Sequence, residues 1–301
     1  MQKTLISIIG STGIGKTKLA IEMAKHFGTE IISCDSRQFF KEMKIGTATP
    51  TDEELAQAKH HFIGHLSVQD YYSIGQYEED ALEKIEEIFE ENDFAVLVGG
   101  SMMYEKAVVE GLNDLPEANA ENQEKLQKIL DEEGLEKLQE ILKNLDEEYY
   151  NVVHKENPRR LLRAIDVIWQ TGRKYSEIIA EPKHKRDFKV IRIGITAPRE
   201  IMYERINLRV DKMLEKGLID EVKSLTKYQN LVPLQTVGYT EIFKYLEGTW
   251  DLDFAVEEIK KNSRRYAKRQ ETWNRKVENV TWLPYDYSEE QLHEILSKIE
   301  K

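Results

Sequence analysis

The first part of the chain alternates between short apolar runs and longer amphipathic stretches. The runs at 4–9, 30–34 and 94–98 have the length and the apolar content of buried strands. Residues 16–26 and 75–91 instead place apolar side chains at the spacing of one helix face. Strands that alternate with helices predict a parallel sheet joined by helical crossovers, so the predicted fold class is α/β.

The pattern changes further along the chain. Residues 113–187 are highly charged and show only helical spacing, whereas 189–195 alternates as a strand does. The stretch at 199–277 is helical again. We therefore predict a core formed by 1–112 together with 188–301, and an all-helical subdomain at 113–187 inserted into it.

Composition indicates a globular protein of about two domains. Of the 301 residues, 40% are hydrophobic and 33% are charged. No apolar run approaches the roughly 20 residues of a membrane helix, and the first residues do not resemble a signal peptide. Cys34 is the only cysteine, which excludes an internal disulfide and a cysteine-built zinc site. We expect a monomeric cytoplasmic protein that does not bind membranes.

Charge is distributed unevenly, although the formal net charge is −12. Residues 117–148 contain eleven Asp and Glu against four Lys, whereas 260–276 contain eight Lys and Arg against one Glu. Like charges one turn apart destabilise a helix, and a polyanionic partner relieves that repulsion. Tyr266 and Trp273 lie among these basic residues, where they either stack on a partner or pack inward.

A second basic stretch contains the segment NPRRLLR at 157–163. Proline near the first turn is typical of a helix start. Two arginines beside the unpaired N–H groups of that turn suit contacts with phosphates or bases. Both basic stretches are therefore candidate nucleic-acid surfaces, and the alternative for each is a solvated helix face.

Residues 10–17 read GSTGIGKT, a complete G-x-x-x-x-G-K-[ST] phosphate loop between a predicted strand and a predicted helix. The backbone N–H groups of such a loop and the helix N-terminus bind phosphate oxygens. Lys16 adds a positive charge, and the Thr17 hydroxyl is a ligand for Mg²⁺. The loop predicts a phosphorylated ligand but leaves open nucleotide hydrolysis, phosphate transfer or another reaction.

Polar residues also follow two other predicted strands, and they should meet the phosphate loop in one crevice. Asp35-Ser36 comes after the strand at 30–34, and Gly99-Gly100-Ser101 after the strand at 94–98. Asp35 is either a local turn or helix cap, a water-mediated Mg²⁺ ligand, or a general base. The Gly-Gly-Ser segment is either an ordinary tight turn or part of the site.

His61 and His65 have the H-x-x-x-H spacing that a helical metal site would use. No carboxylate lies at a diagnostic offset, and Gly64 disfavours a rigid helix there. We interpret these histidines as structural.

These segments together resemble the bacterial tRNA dimethylallyltransferase (tRNA isopentenyltransferase) family over nearly the whole chain. The most specific blocks are EIISCDSRQFFKEMKIGTATP and SRRYAKRQETWNR. The others are GSTGIGKT, HHFIGHL, VGGSMMY, ENPRRLLRAIDV with QTGRKYS, RINLRVDKMLEKGLIDEV and TVGYTEIFKYLEG. Met102-Met103 and Gly64 depart from the family pattern.

The resemblance implies a P-loop NTPase-like sheet and a prenyl transfer. A dimethylallyl group would pass from dimethylallyl diphosphate to N6 of adenosine 37, beside the tRNA anticodon. Asp35 would be the general base, and Gln38 would read the target base. Ser101 stands where the family has threonine, with the hydroxyl retained. Either Arg205 or Arg209 would contact the diphosphate.

The site residues that the resemblance implies form three sets. The catalytic set is Asp35, Ser101, Arg205 and Arg209. The diphosphate set is Gly10, Ser11, Thr12, Gly13, Ile14, Gly15, Lys16 and Thr17, with Mg²⁺ on Thr17. The set for the tRNA anticodon stem-loop is Asp35, Ser36, Arg37, Gln38, Ser101, Asn157, Pro158, Arg159, Arg160, Leu161, Arg163, Arg264, Arg265, Lys268 and Arg269.

Three other functions fit part of the pattern. A small-molecule P-loop kinase accounts for the loop and Asp35 but not for the basic helices. An isopentenyltransferase that acts on free adenine nucleotides leaves 157–163 and 264–275 without a role. A non-catalytic RNA-binding module does not need the Lys16-Thr17 pair.

Overall fold

Six parallel strands form one sheet in the computed structural model, which describes residues 2–300. The strand order across the sheet is β3-β2-β4-β1-β5-β6. The bounds are β1 Thr4–Gly10, β2 Ile31–Ser33, β3 His60–His61, β4 Phe94–Val98, β5 Lys189–Thr196 and β6 Val280–Pro284. The predicted α/β class is confirmed, and four of the strands lie where the apolar runs predict them.

Two strands have no clear signal in the sequence. β3 has only two residues, too few for a periodic pattern. β6 is an edge strand and carries the exposed Trp282, so it lacks the continuous apolar run of a central strand. A Cβ atom on Gly194 of β5 would lie only 2.3 Å from the Trp282 ring, so a side chain at position 194 would clash with it. The missing side chain of Gly194 therefore allows β6 to join the sheet.

Helices cover both faces of the sheet, which is why its central strands are apolar on both sides. Leu5 of β1 packs with one core cluster, whereas Ile6 and Ile8 pack with another on the opposite face. The helices before the inserted unit are α1 Lys16–Phe27, α2 Asp52–Leu55, α3 Ile74–Glu91 and α4 Met102–Glu110. Those after it are α10 Arg199–Glu215, α11 Leu218–Ser224, α12 Tyr239–Leu246, α13 Leu252–Asn274 and α14 Glu289–Ile299, with 3₁₀ turns at Thr226–Tyr228 and Val232–Leu234.

Glu110–Lys185 forms a second compact unit, where the sequence predicts an insertion at 113–187. Its helices are α5 Ala120–Glu133, α6 Leu135–Leu145, α7 Glu147–Val152, α8 Pro158–Thr171 and α9 Tyr175–Ile179. Leucines 126, 138, 142 and 161 form its separate apolar core. The wholly buried Asp166 accepts hydrogen bonds from Asn122 and Gln170, both at 3.0 Å.

Arg186 joins the two parts of the first unit between which the second unit is inserted. The Arg186 guanidinium donates to the carbonyl oxygens of Val108 and Ala107, both at 2.7 Å. Arg186 also pairs with Glu78 of α3. These bonds tie the chain that leaves α4 to the chain that enters β5.

Within residues 2–300, no helix combines the length and the apolar character that a membrane crossing requires.

Candidate active site

The phosphate loop connects β1 to α1, so the strand–loop–helix arrangement that the sequence predicts is confirmed. Gly13 and Gly15 have φ angles of 77° and 114°, in the left-handed region that favours glycine. Residues with side chains rarely adopt such angles, and the path of the loop depends on both glycines. Backbone N–H groups of the loop and the N-terminus of α1 thus form a concavity of the kind that binds phosphate.

Lys16 is enclosed by the loop to which it belongs. Its Nζ donates to the carbonyl oxygens of Gly10 at 3.0 Å and Ser11 at 2.9 Å. Burial lowers the pKa of Lys16 to about 8, while the Asp35 carboxylate opposes and the Arg209 guanidinium adds to that shift. Two backbone oxygens therefore hold the ammonium group beside the loop.

Asp35 follows β2, and its two carboxylate oxygens have different neighbours. Its Oδ1 accepts the backbone N–H of Arg37 at 3.2 Å, which is the local turn that the sequence allows. Its Oδ2 faces Gly100, where an added Cβ atom would lie only 2.8 Å from that oxygen. One carboxylate oxygen thus shapes the loop, and the other lies beside the loop that follows β4.

Ser101 joins the loops that follow β2 and β4. Its Oγ accepts the backbone N–H of Ser36 at 3.0 Å and lies 2.9 Å from the Ser36 Oγ. Gly99 makes this contact possible, because a Cβ atom there would lie 2.4 Å from the carbonyl carbon of Cys34. The Ser101 hydroxyl therefore holds two of the three predicted strand-end segments together, those after β2 and β4.

A cavity of about 1060 Å³ opens beside these loops. Asp35, Gln38, Arg205 and Arg209 line it together with the phosphate loop from Thr12 onward. Eight Lys and Arg side chains border the cavity, against four carboxylates. Such a surplus of positive charge favours an anionic ligand.

Gln38 and Arg209 are held by the same backbone oxygen. The carbonyl of Thr47 accepts from Gln38 Nε2 and from Arg209 Nη2, both at 3.2 Å. Arg209 also donates to the Thr12 hydroxyl at 3.3 Å, so it bridges the phosphate loop and the segment at 45–49. Burial lowers the pKa of Arg209.

Glu221 of α11 fixes the segment at 45–49, a role that no short motif signals. Its carboxylate accepts the backbone N–H groups of Ile45 at 2.7 Å and Gly46 at 2.9 Å. The Tyr239 hydroxyl donates to the same carboxylate at 2.7 Å. Glu221 and Tyr239 lie in blocks that carry the family resemblance, which marks these residues but does not reveal their contacts with 45–49.

Arg205 lies one helical turn before Arg209 and has a different environment. It is exposed, and its Nε donates to the carbonyl oxygen of Gly13 at 2.9 Å. Both arginines reach the phosphate loop from α10, but only Arg209 connects it to the backbone that holds Gln38. The structure therefore distinguishes two residues that their sequence positions do not.

The residues present fit a Mg²⁺ ion that is bound mainly through ligand oxygens. Thr17 and Asp35 line the same cavity, and oxygen is the ligand atom that Mg²⁺ prefers. In proteins Mg²⁺ is commonly bound by one or two side chains together with substrate phosphates and water. In the described part of the chain, no group of three or more His, Cys, Asp and Glu is arranged to hold a metal. A magnesium ion on Thr17 stays a prediction.

The histidine pair has structural surroundings. His61 lies in β3, and its Nε2 pairs with Glu30 at 2.5 Å. His65 follows Gly64, whose φ is 58°, and its ring contacts Phe39. The two rings thus lie on a strand and a loop rather than on one helix face.

The basic residues of α13 divide between two faces. Arg264 points to α10, where its Nη1 donates to Asn207 Oδ1 at 2.7 Å. Arg265, Lys268 and Arg269 are exposed and, with Thr272, Trp273 and Lys276, border a groove of about 400 Å³. Tyr266 packs inward and donates to the carbonyl oxygen of Gly100 at 2.8 Å.

The predicted tRNA segment at the start of α8 needs one correction. Leu161 is completely buried in the core of the second unit, so its side chain cannot contact tRNA and has a packing role instead. Arg163 pairs with Asp166 at 3.3 Å and also donates to the carbonyl oxygen of Pro116, both within that unit. Arg159 and Arg160 are exposed, beside the cap residue Asn157 and the first helical residue, Pro158.

A phosphate loop at the carboxyl edge of a parallel sheet, with a carboxylate beside it, defines a P-loop α/β protein. Comparison with family models narrows this class. The model described as IPP transferase matches residues 38–277. The chain belongs to the IPP transferase family. That match begins at Gln38, so the phosphate loop and Asp35 lie outside it.

Relatives extend the likeness to those residues. A tRNA dimethylallyltransferase from Christiangramia forsetii is 49% identical over 300 residues, covering 99% of each chain. The protein called tRNA dimethylallyltransferase 1 from Bacteroides thetaiotaomicron is 46% identical over 280 residues, covering 93% of this chain and 91% of its own length.

Solved structures share the same fold. A tRNA isopentenylpyrophosphate transferase from Bacillus halodurans aligns with a TM-score of 0.73 at 35% identity, covering 99% of this chain and 96% of the other. A eukaryotic dimethylallyltransferase acting on tRNA aligns with a TM-score of 0.85 at 26% identity, covering 99% and 78%.

The lowered pKa of Lys16 predicts how ligand affinity depends on pH. Lys16 is charged below its pKa of about 8 and loses its proton as the pH rises through that value. The dissociation constant of a monoalkyl diphosphate, measured by calorimetry, should therefore rise by up to about tenfold per pH unit above that point. In Lys16→Arg the guanidinium stays charged, so the rise should disappear. An equal rise in both proteins would contradict the assignment to Lys16.

Proposed function

We propose that this protein transfers a dimethylallyl group from dimethylallyl diphosphate to N6 of adenosine 37, beside the anticodon of tRNA. The protein is a tRNA-modifying prenyltransferase. The observation that carries the proposal is the shared cavity of the phosphate loop, Asp35 and Gln38, in a chain 49% identical to a tRNA dimethylallyltransferase.

The reaction breaks a carbon–oxygen bond of the donor and forms a carbon–nitrogen bond on adenine. The N6 amine is a poor nucleophile because its lone pair is delocalised into the ring. Asp35 accepts the N6 proton as the new bond forms, an effect worth about 10²–10⁴-fold in rate. Gln38 borders the same cavity and hydrogen-bonds the edge of the target base. The adenine reaches this position by leaving its stack.

The leaving diphosphate gains negative charge in the transition state. Loop N–H groups and the Lys16 ammonium stabilise this charge more than that of the bound donor, which accelerates the reaction. Mg²⁺, when bound with the diphosphate near Thr17, supplies further charge neutralisation. The Ser101 hydroxyl keeps the loop beside Asp35 in place through its bonds to Ser36.

Arg209 is the arginine that contacts the diphosphate. Both arginines line the cavity, but Arg209 is partly buried and touches Thr12 of the phosphate loop, whereas Arg205 is exposed and donates to the carbonyl oxygen of Gly13. A partly buried charge is screened less by water, so Arg209 stabilises the leaving group more strongly.

Exposed basic side chains bind the anticodon stem-loop. Arg265, Lys268 and Arg269 on α13 contact phosphates, and so do Arg159 and Arg160 at the start of α8. Such contacts release counterions, and tRNA affinity therefore falls as the salt concentration rises.

The direct test is a transfer assay with labelled dimethylallyl diphosphate, Mg²⁺ and an unmodified tRNA that has adenine at position 37. Label should appear at N6 of that adenine, and a tRNA with guanine at position 37 should remain unlabelled. AMP is the matched alternative acceptor. Label on AMP but not on tRNA would identify an enzyme of free nucleotides, and no label on tRNA would refute the proposal.

Asp35→Asn tests the general base. The amide cannot accept the N6 proton, and kcat should fall by about 10²–10⁴-fold while donor binding persists. Asp70→Asn is the matched control, because Asp70 is an exposed carboxylate that also accepts a backbone N–H, from Ser67 at 2.7 Å. Near-normal turnover of Asp35→Asn would remove the base from the mechanism.

A pair of arginine variants tests the diphosphate contact. Arg209→Gln should lower kcat/KM for the donor by about 10²-fold, as the loss of a transition-state donor does. Arg205→Gln should lower it much less, because that side chain is exposed. Steady-state kinetics with saturating tRNA measures both, and a larger loss in Arg205→Gln would reverse the assignment.

A further inference from the structure

Gln270 of α13 is completely buried and uses both ends of its side-chain amide. Its Oε1 accepts the backbone N–H of Thr12 in the phosphate loop at 2.8 Å. Its Nε2 donates to the carbonyl oxygen of Gly100, after β4, at 2.8 Å. One side chain therefore bridges two loops that border the cavity.

The loop at Gly100 is also the loop that faces Asp35. A Cβ atom on Gly100 would lie 2.8 Å from Asp35 Oδ2 and 3.3 Å from Gln270 Nε2. The carboxylate and the amide thus lie beside the same glycine. Gln270 connects the phosphate loop, at Thr12, to the loop at Gly100, which lies beside Asp35.

The chemistry of this position selects glutamine. Its two contacts need an acceptor and a donor on one side chain, and a buried polar group that lacks a partner is costly. Glutamate keeps an acceptor for the Thr12 N–H but has no donor for the Gly100 carbonyl. Methionine has a similar size and makes neither bond.

We propose that Gln270 is a positioning residue, whose amide sets the spacing between the phosphate loop and the loop that supports Asp35. The inference rests on the proposed function, because the spacing matters only if the two loops hold two reactants. The donor carbon and the adenine N6 must meet within a narrow range of distance and angle, and a misplacement of about 1 Å can cost about 10²-fold in rate.

If Gln270 is a positioning residue, its loss should lower the rate of the chemical step without changing the dissociation constant of either substrate. Each substrate is held on one side of the bridge, by groups that Gln270 does not replace. Loss of the bridge therefore leaves the affinity for each substrate alone close to that of the unmodified protein. The rate of the chemical step falls, because that step needs the phosphate loop and the loop beside Asp35 at the correct spacing.

The experiment compares Gln270→Met and Gln270→Glu with the unmodified protein. Calorimetry measures dimethylallyl diphosphate and tRNA binding separately, and single-turnover transfer with both substrates saturating measures the chemical step. We expect Gln270→Met to keep similar dissociation constants, whereas the buried carboxylate of Gln270→Glu also weakens dimethylallyl diphosphate binding by repulsion. With both substrates saturating, the single-turnover rate should be lower by about 10²-fold in each variant. Because Gln270→Glu keeps the Thr12 bond, it serves as the second variant if Gln270→Met folds poorly.

Two variants on the same helix provide matched controls. Tyr266→Phe removes the other bond to the Gly100 carbonyl and keeps the bridge, so it should reduce the single-turnover rate less than either Gln270 variant. Asn262→Leu removes the hydrogen bond that the side-chain amide donates to Glu241 Oε1 of α12, at 2.8 Å, and the acceptor of Arg265 Nη1. With tRNA saturating, it should keep the rate of the chemical step.

Three outcomes overturn the inference. An unchanged single-turnover rate in Gln270→Met and Gln270→Glu means that the residue only fills space. A loss of substrate binding in Gln270→Met equal to its loss of rate means that the residue acts through folding of the site. Absence of transfer by the unmodified protein refutes the proposed function itself, and with it the role of Gln270.

Discussion

The active site depends on how closely the backbone after β2 approaches the backbone after β4. Side chains would keep these segments apart, because a Cβ atom on Gly99 would lie 2.4 Å from the carbonyl carbon of Cys34. Glycine at 99 and 100 allows contact, and the Ser36–Ser101 hydroxyl pair then secures it. Asp35 borders the same cavity as the phosphate loop as a result, so the chemistry rests on two missing side chains.

Short stretches of sequence predict four of the six strands and the phosphate loop. The apolar runs of β1, β2, β4 and β5 and the phosphate loop follow from short stretches of sequence, because burial on both faces and a nest of backbone N–H groups leave clear signals. β3 and β6 were not predicted, since a strand of two residues and an exposed edge strand carry too few apolar positions. The burial of the Leu161 side chain could not be predicted, because a motif does not report which helix face is buried.

The polar framework around the cavity could not be predicted for a different reason. Gln270 lies 258 positions after Thr12, and Glu221 lies 176 positions after Ile45. Their spacing in the sequence has no fixed relation to their spacing in the fold, and a glutamine or glutamate on a charged helix looks like a solvated residue. Only the packing of α13 against β1, and of α11 against α10 and α12, places these side chains where they support backbone that carries substrate-binding groups.

The bonds of Arg186 to Val108 and Ala107 make the sheet insensitive to the length of the inserted unit. They join the end of α4 to the segment before β5, and the second unit is the chain between these two points. The entropic cost of closing an inserted segment grows only slowly with the length of that segment. Insertion, trimming or exchange of this part of the chain can therefore proceed without moving β4 or β5 out of register.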